Sequence, residues 1–308
     1  MLRRVLLWMS RNQTMRRWVM RSRLTRRVVN RFVAGNTLDE TVVASKRLNA
    51  KQILLTMDHL GEAVSNEDEA DEAGRMYLRM LDRISKEELK STVSLKPTQL
   101  GLALDPKRCQ RRIEAIVQKA VANGLSVEID MEDSPYTDVT LSIYSELLKI
   151  DSDLRVCLQS YLHRTDDDLR RLIDLGGSVR LVKGAYREPP EESIQEKSGV
   201  NDAFVRQMEM GLTKGAVNSG FYLALGTHDG KLVSSAEEIA LKNGVGKDEF
   251  EFQFLYGIRT DMQQRLVDQG YRVRVYQPFG QQWYPYFMRR LAERPANLWF
   301  LIKNFFRP

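Results

Sequence analysis

Cysteine, histidine and long apolar runs are all scarce in this chain of 308 residues, and each shortage closes off a class of function. The two cysteines, Cys109 and Cys157, stand in ordinary helical and strand-like stretches at no ligand-like spacing. They read as core thiols, and disulfide redox chemistry is set aside. The three histidines, His59, His163 and His228, lie far apart. With no H-x-H, HExxH or Cys/His cluster to gather a metal, a metal-dependent barrel hydrolase is disfavoured and no metal is expected. Neither G-x-G-x-x-G nor a Walker sequence occurs, which excludes the usual dehydrogenase architecture built on a Rossmann turn. No run of about 18 apolar residues marks a spanning helix, and no n-region, h-region and cleavage site mark a secretory signal. The expected location is cytoplasmic, or peripheral on the inner face of a membrane.

Acid is missing as well, from the start of the chain to Asp39, while ten arginines fall between Arg3 and Arg31. Taking those ten from the net charge of +6 leaves −4 for the remainder. The body is therefore mildly acidic, and nucleic acid is not an expected partner. The basic tail interleaves its arginines with Leu6, Leu7, Trp8, Trp18, Val19, Val28, Val29 and Phe32. Three readings stay open for it: contact with anionic lipid headgroups, amphipathic helices packing beside the core, or an organelle transit peptide. Residues 1–35 are set apart as a basic amphipathic helical segment, and residues 36–308 as one further domain.

What the chain does have is enough apolar residues, 43%, to bury one large core. Short β-branched and apolar runs recur at Ile53–Met57, Thr92–Lys96, Ser126–Met131, Arg155–Gln159, Val179–Lys183, Phe221–Thr227, Glu251–Leu255 and Arg272–Tyr276. Helical stretches such as RRIEAIVQKAVANG and SSAEEIALKNG separate most of them. Eight runs with helical spacers predict a (βα)8 barrel of TIM type, with N-terminal helices and a final helix over the mouth. Gly124, Gly176 and Gly244 stand where helical patterns stop, while Ser134 and Thr165 are placed to open helices.

Barrel chemistry collects at the C-terminal strand ends, where this sequence puts Asp58, Lys96, Asp130, Gln159, Lys183, His228, Gln253 and Tyr276. A strand buried on both faces has little use for such groups, so their recurrence points to one polar mouth. After the last strand, QQWYPYFMRRLAER reads as a helix opening near Pro285. Arg289, Arg290 and Glu293 follow Tyr286 at offsets that share one helix face. Two guanidinium groups beside a phenol can hold a carboxylate in bidentate fashion, with Glu293 fixing their rotamers. A solvated face with i,i+4 pairs accounts for the same spacing.

Lys96 and Asp130 together suit a zwitterionic substrate, or alternatively form a buried ion pair tying adjacent strands. Glu132 and Asp133 read as caps of the next helix. Arg180 and Lys183 in SVRLVKGAY, with Gly184 and Ala185 beside them, suit a phosphate-bearing or electron-rich cofactor approaching closely. His228 is placed to hydrogen-bond it.

As an ordered set, VSLKPTQLG, VEIDMEDS, LQSYLHRT, VRLVKGAYREP, GTHDG, FEFQFLYGIR, RVYQPFG and YFMRRLAERPAN closely resemble the proline dehydrogenase family, from about residue 33 to the end. The resemblance implies an FAD-dependent, distorted (βα)8 barrel that oxidises L-proline to Δ1-pyrroline-5-carboxylate, the first step of proline catabolism. It implies that Lys96, Arg289 and Arg290 bind the proline carboxylate, with Tyr276 and Tyr286 walling the ring. It makes Asp130 and Arg180 the catalytic pair, and has Met131, Gln159, Lys183, Gly184, Ala185, Thr227 and His228 line the FAD. A membrane quinone is the implied electron acceptor. The chain has no room for the aldehyde dehydrogenase or DNA-binding domains of bifunctional relatives, so a separate pyrroline-5-carboxylate dehydrogenase is expected downstream. Two rival readings are hydroxyproline oxidation, against which the bulk of Tyr276 argues, and a membrane-surface barrel that has lost catalysis, against which the polar strand ends argue.

Overall fold

In most of the short runs every second side chain is aliphatic or aromatic and its neighbours are polar, so one strand face seeks a helix layer and the other seeks something else. The result is a closed barrel of eight parallel strands in sequential order, β1 pairing with β8. The structure, a computed structural model, describes residues 31–61, 63–284 and 286. The tail before residue 31, and Arg289, Arg290 and Glu293, lie outside the described residues.

The chain enters through α1 (Leu38–Asn49) and then alternates: β1 (Leu54–His59), α2 (Glu67–Lys86), β2 (Ser91–Leu95), α3 (Pro106–Ala122), β3 (Val127–Ile129), α4 (Thr137–Leu147), β4 (Arg155–Gln159) and α5 (Thr165–Asp174). β5 (Ser178–Val182) is followed by α6 (Lys197–Gly211) and α7 (Lys214–Asn218), then β6 (Tyr222–Gly226), α8 (Gly230–Lys242), β7 (Phe250–Leu255), α9 (Thr260–Asp268) and β8 (Arg272–Phe279). Short 3-10 turns at Pro97–Leu100 and Ser134–Tyr136 follow β2 and β3.

Local signals set the helix limits. In α2, Asn66 accepts from the Glu69 amide, three acids fill the first turn and Arg83 and Lys86 sit in the last. Its buried Ala70, Ala73, Tyr77, Met80, Leu81 and Ile84 form the stripe that meets the barrel. Asp105 caps α3 with Pro106 behind it. Gly124, Gly176 and Gly244 end their helices at positive φ, as their placement predicts.

The outward strand residues, among them Leu55, Met57, Val93, Ile129, Val156, Leu181, Phe252 and Val275, join the helix stripes in one apolar shell. Barrel interiors are usually filled by bulky aliphatics. Here most inward positions are polar or charged, with Ala224 and Cys157 among the exceptions, and contacts between non-adjacent strands locate them: Thr56 of β1 reaches Glu128 of β3, and Arg155 of β4 reaches Glu251 of β7. The apolar core is thus a ring around the barrel, and its axis is polar.

Two further features bear on the mouth. Residues 31–35 run beside the end of β8, where Phe32 and Val33 are buried and Ala34 N donates to Pro278 O at 2.9 Å. Trp283, Tyr284 and Tyr286 are buried and helical, so a helix does open after β8; its course over the mouth lies outside the described residues.

Candidate active site

β2, β3, β5 and β8 each deliver one polar side chain to a single cluster at the mouth. Lys96, just past β2, places Nζ 2.5 Å from Asp58 Oδ1, 3.2 Å from Asp130 Oδ2 and 3.2 Å from Tyr276 Oη. Asp130 accepts from Tyr276 Oη at 2.7 Å, from Ser94 Oγ at 2.7 Å and from Arg180 Nη2. The Arg180 guanidinium lies 5.1 Å from the centre of the Tyr276 ring, a cation–π contact. Lys96, Asp130, Arg180 and Tyr276 are all anticipated from sequence, and the fold brings the four together.

Charge states follow from this geometry. Burial pushes the Asp130 carboxyl up, but Arg180 and Lys96 outweigh it and hold the group below the usual carboxylate range. Burial works against the Lys96 ammonium, yet Asp58, Tyr276 and Asp130 hold its pKa well above the ordinary value. Burial, then Asp130 and Asp58, raise the Tyr276 phenol far beyond its ordinary range. Near neutrality the cluster therefore holds an anion, a neutral phenol and two cations. None of the four is poised to exchange a proton there. Such a cluster orients and polarises a bound molecule.

A second group of anticipated residues forms the adjoining rim, from β4 to β6. Gln159 donates from Nε2 to Glu132 O at 2.8 Å and accepts from Ala185 N at 3.1 Å, tying two loops together. Lys183 Nζ lies 2.6 Å from Asn201 Oδ1 and 3.1 Å from Asp229 Oδ2, while Asp229 N donates to Thr227 Oγ1. His228 Nε2 accepts from Leu255 N at 2.9 Å, which fixes a tautomer protonated at Nδ1. Met131 is buried beside Asp130. At Gly184, with φ of +123°, a Cβ would lie 2.4 Å from the Tyr161 ring. Glycine is required there by Tyr161 alone, whatever else approaches.

Three expectations are corrected. Gln253 is no rim residue: β7 continues to Leu255, and Gln253 Nε2 bonds Glu251 at 2.8 Å inside the barrel. Glu132 caps no following helix; its carboxylate accepts from Thr98 N at 2.8 Å and Thr98 Oγ1 at 2.7 Å, locking the turn after Lys96. Asp133 makes no side-chain cap bond. Sequence reasoning also missed Asp58 as the closest partner of Lys96, Ser94 beneath Asp130, and Asn201 and Asp229 around Lys183. A strand-interior charge needing a partner was the available signal for Asp58.

Among the described residues no group of three or more histidine, cysteine or acidic side chains is arranged to hold a metal, and no helix is long and apolar enough to cross a membrane.

Residues 42–303 match the family described as Proline dehydrogenase. Proline dehydrogenase 1 of Bacillus subtilis (strain 168) is 38% identical over 304 residues, covering 99% of each chain. Proline dehydrogenase of Deinococcus radiodurans is 34% identical over 282 residues, 90% of this chain and 89% of its own. Among solved structures, proline utilization A from Bdellovibrio bacteriovorus superposes with a TM-score of 0.81 at 24% identity, over 87% of this chain and 33% of that one. That likeness bears out the barrel.

Proposed function

The chain belongs to the proline dehydrogenase family, as an oxidoreductase acting on proline in the first step of proline catabolism, and from that premise we propose how its mouth does so. FAD is the proposed cofactor and Δ1-pyrroline-5-carboxylate the product. Bound FAD would supply the two-electron acceptor for a hydride leaving the ring carbon next to nitrogen. The donor set of the rim suits that group: the Gln159 amide and the Lys183 ammonium are hydrogen-bond donors for ring carbonyls or phosphates, with His228 beside them. Met131, Gly184, Ala185 and Thr227 complete the proposed lining.

The observation that carries the reading is the convergence of Lys96, Asp130, Arg180 and Tyr276 on one cluster. With Asp58 added to these four the charges already balance: Lys96 and Arg180 against Asp58 and Asp130. A substrate carboxylate therefore needs further cations, and Arg289 and Arg290 are proposed to supply them alongside Lys96. Tyr276, held by Asp130, would wall the proline ring together with Tyr286, and its bulk favours proline over hydroxyproline. Asp130 and Arg180 act as fixed charges, the Arg180 guanidinium favouring acceptance of negative charge on the cofactor side. Because no group in the cluster titrates near neutrality, the amine is expected to arrive neutral, with its proton already lost to solvent.

Arg289→Ala and Arg290→Ala should each raise the proline KM by about tenfold or more while FAD stays bound. Unchanged proline kinetics would remove the arginine pair from the site. A membrane quinone is the proposed acceptor for the electrons, and a separate pyrroline-5-carboxylate dehydrogenase the proposed next enzyme. The protein is proposed to work in the cytoplasm, peripheral to the inner face of the membrane through residues 1–30. Deletion of those residues should then weaken liposome binding and quinone turnover together.

A further inference from the structure

Below the mouth, Glu128 of β3 is 1% exposed and turns its two oxygens to different partners. Oε1 accepts from Arg155 Nη1 at 3.0 Å, Thr56 Oγ1 at 2.7 Å and Thr92 Oγ1 at 3.1 Å. Oε2 accepts from Arg180 Nη1 at 2.9 Å. Arg180 in turn spans two acids, one on β3 and one just past it: one amino group reaches down to Glu128, the other up to Asp130. Glu128 and Asp130 sit two residues apart, on the same inward face. The guanidinium is thus clamped at both ends along the barrel axis.

Glu251 completes the lower layer, joining Arg155 at 2.8 Å and Arg274 at 2.7 Å. Arg155, Arg180 and Arg274 face Glu128, Glu251 and Asp130, so the interior charges cancel. A buried ion network is a poor stability device, since apolar groups of similar volume often serve as well or better. Barrels ordinarily use aliphatic layers in this place. The expense makes sense if the network does something for the mouth above it.

We propose that Glu128 is a positioning residue for the reaction: it fixes the guanidinium of Arg180 and sets how much of its positive charge reaches the cofactor face. This rests on the reading that Arg180 faces a flavin. Removing the Glu128 charge leaves the network one positive charge in excess, which favours the reduced, anionic cofactor. Removing Arg155, which touches Glu128 and Glu251 but has no bond to Arg180, leaves one negative charge in excess and does the opposite.

The test is the flavin reduction potential of purified holoenzyme carrying Glu128→Gln or Arg155→Gln. Glu128→Gln should favour reduction by roughly tenfold in equilibrium constant, an upward shift of about 30 mV for a two-electron couple. Arg155→Gln should shift the potential down by a similar amount. A merely structural role would lower thermal stability in both and move the potential in neither. No shift, or shifts of the same sign, overturns the proposal; if Glu128→Gln does not fold, the absence of a downward shift in Arg155→Gln does so alone. A yellow wild type whose potential ignores both substitutions counts against Glu128 only. A wild type that takes up no FAD removes the flavin reading and the proposal with it.

Discussion

The hydroxyl of Tyr276 on β8 donates to the carboxylate of Asp130, just past β3, 2.7 Å away across the barrel mouth. Neither residue is on a strand neighbouring the other's, so the bond is made by barrel closure and register. It holds the tyrosine ring, the proposed wall of the proline pocket, in place and favours the carboxylate form of Asp130 at the same stroke.

Tyr276→Phe keeps the wall and deletes the bond. Asp130 retains Arg180, Lys96 and Ser94, so the fold should survive, and kcat/KM for proline should fall by about tenfold, the worth of one charged hydrogen bond. Tyr276→Ser removes the bulk too, and should narrow the preference for proline over hydroxyproline. Comparing kcat/KM for both substrates in the two variants separates hydroxyl from bulk; equal selectivity in both would show that Tyr276 does not face the substrate.

Lys96 and Asp58 should behave as one unit in stability. Asp58 is 1% exposed, so Lys96→Met leaves an uncompensated buried charge, at a cost of about 3 kcal/mol. Lys96→Met combined with Asp58→Asn should recover much of that loss. Urea unfolding of the two single variants and the double variant measures the coupling, and additive losses would contradict the pairing.

Acid should unfold the barrel from its axis. Burial would raise the Glu251 carboxyl, but Arg155 and Arg274 bring it down to about 2, and Asp130 and Glu128 are lowered for the same reason. A carboxyl lowered in the folded state stabilises above its unfolded pKa of about 4, and that contribution fades as pH falls toward the folded value. Glu132 has the opposite sign, because burial raises its carboxyl and protonation relieves that cost. Stability should thus fall between about pH 4.5 and 2, Glu251 alone accounting for roughly 3 kcal/mol. Unfolding midpoints across this range should fall less steeply in Glu251→Gln than in wild type; parallel profiles would contradict the assignment.

The barrel itself is legible in the sequence because its shell obeys local rules. Aliphatic runs such as Val179–Lys183 and capped, striped helices such as α2 carry their own periodicity. The strand-end residues are legible for a related reason, since Lys96, Asp130 and Tyr276 each break an apolar run. The charged axis is not. Glu128, Arg155, Glu251 and Arg274 alternate with aliphatics, a pattern that a half-solvated strand shares. Only register tells that they meet inside a barrel. Gln253 was misplaced on that account, one inward position below the rim. Asp58 is placed at a strand end, but its pairing escaped because Lys96 is 38 residues away.

The most direct measurement of the central claim is the visible spectrum of the purified protein before and after L-proline is added without oxygen. A yellow protein whose flavin absorbance bleaches, with a rate that saturates in proline, is the result expected of this mouth. A colourless protein that takes up no FAD, or a yellow one that proline leaves unchanged, would contradict it.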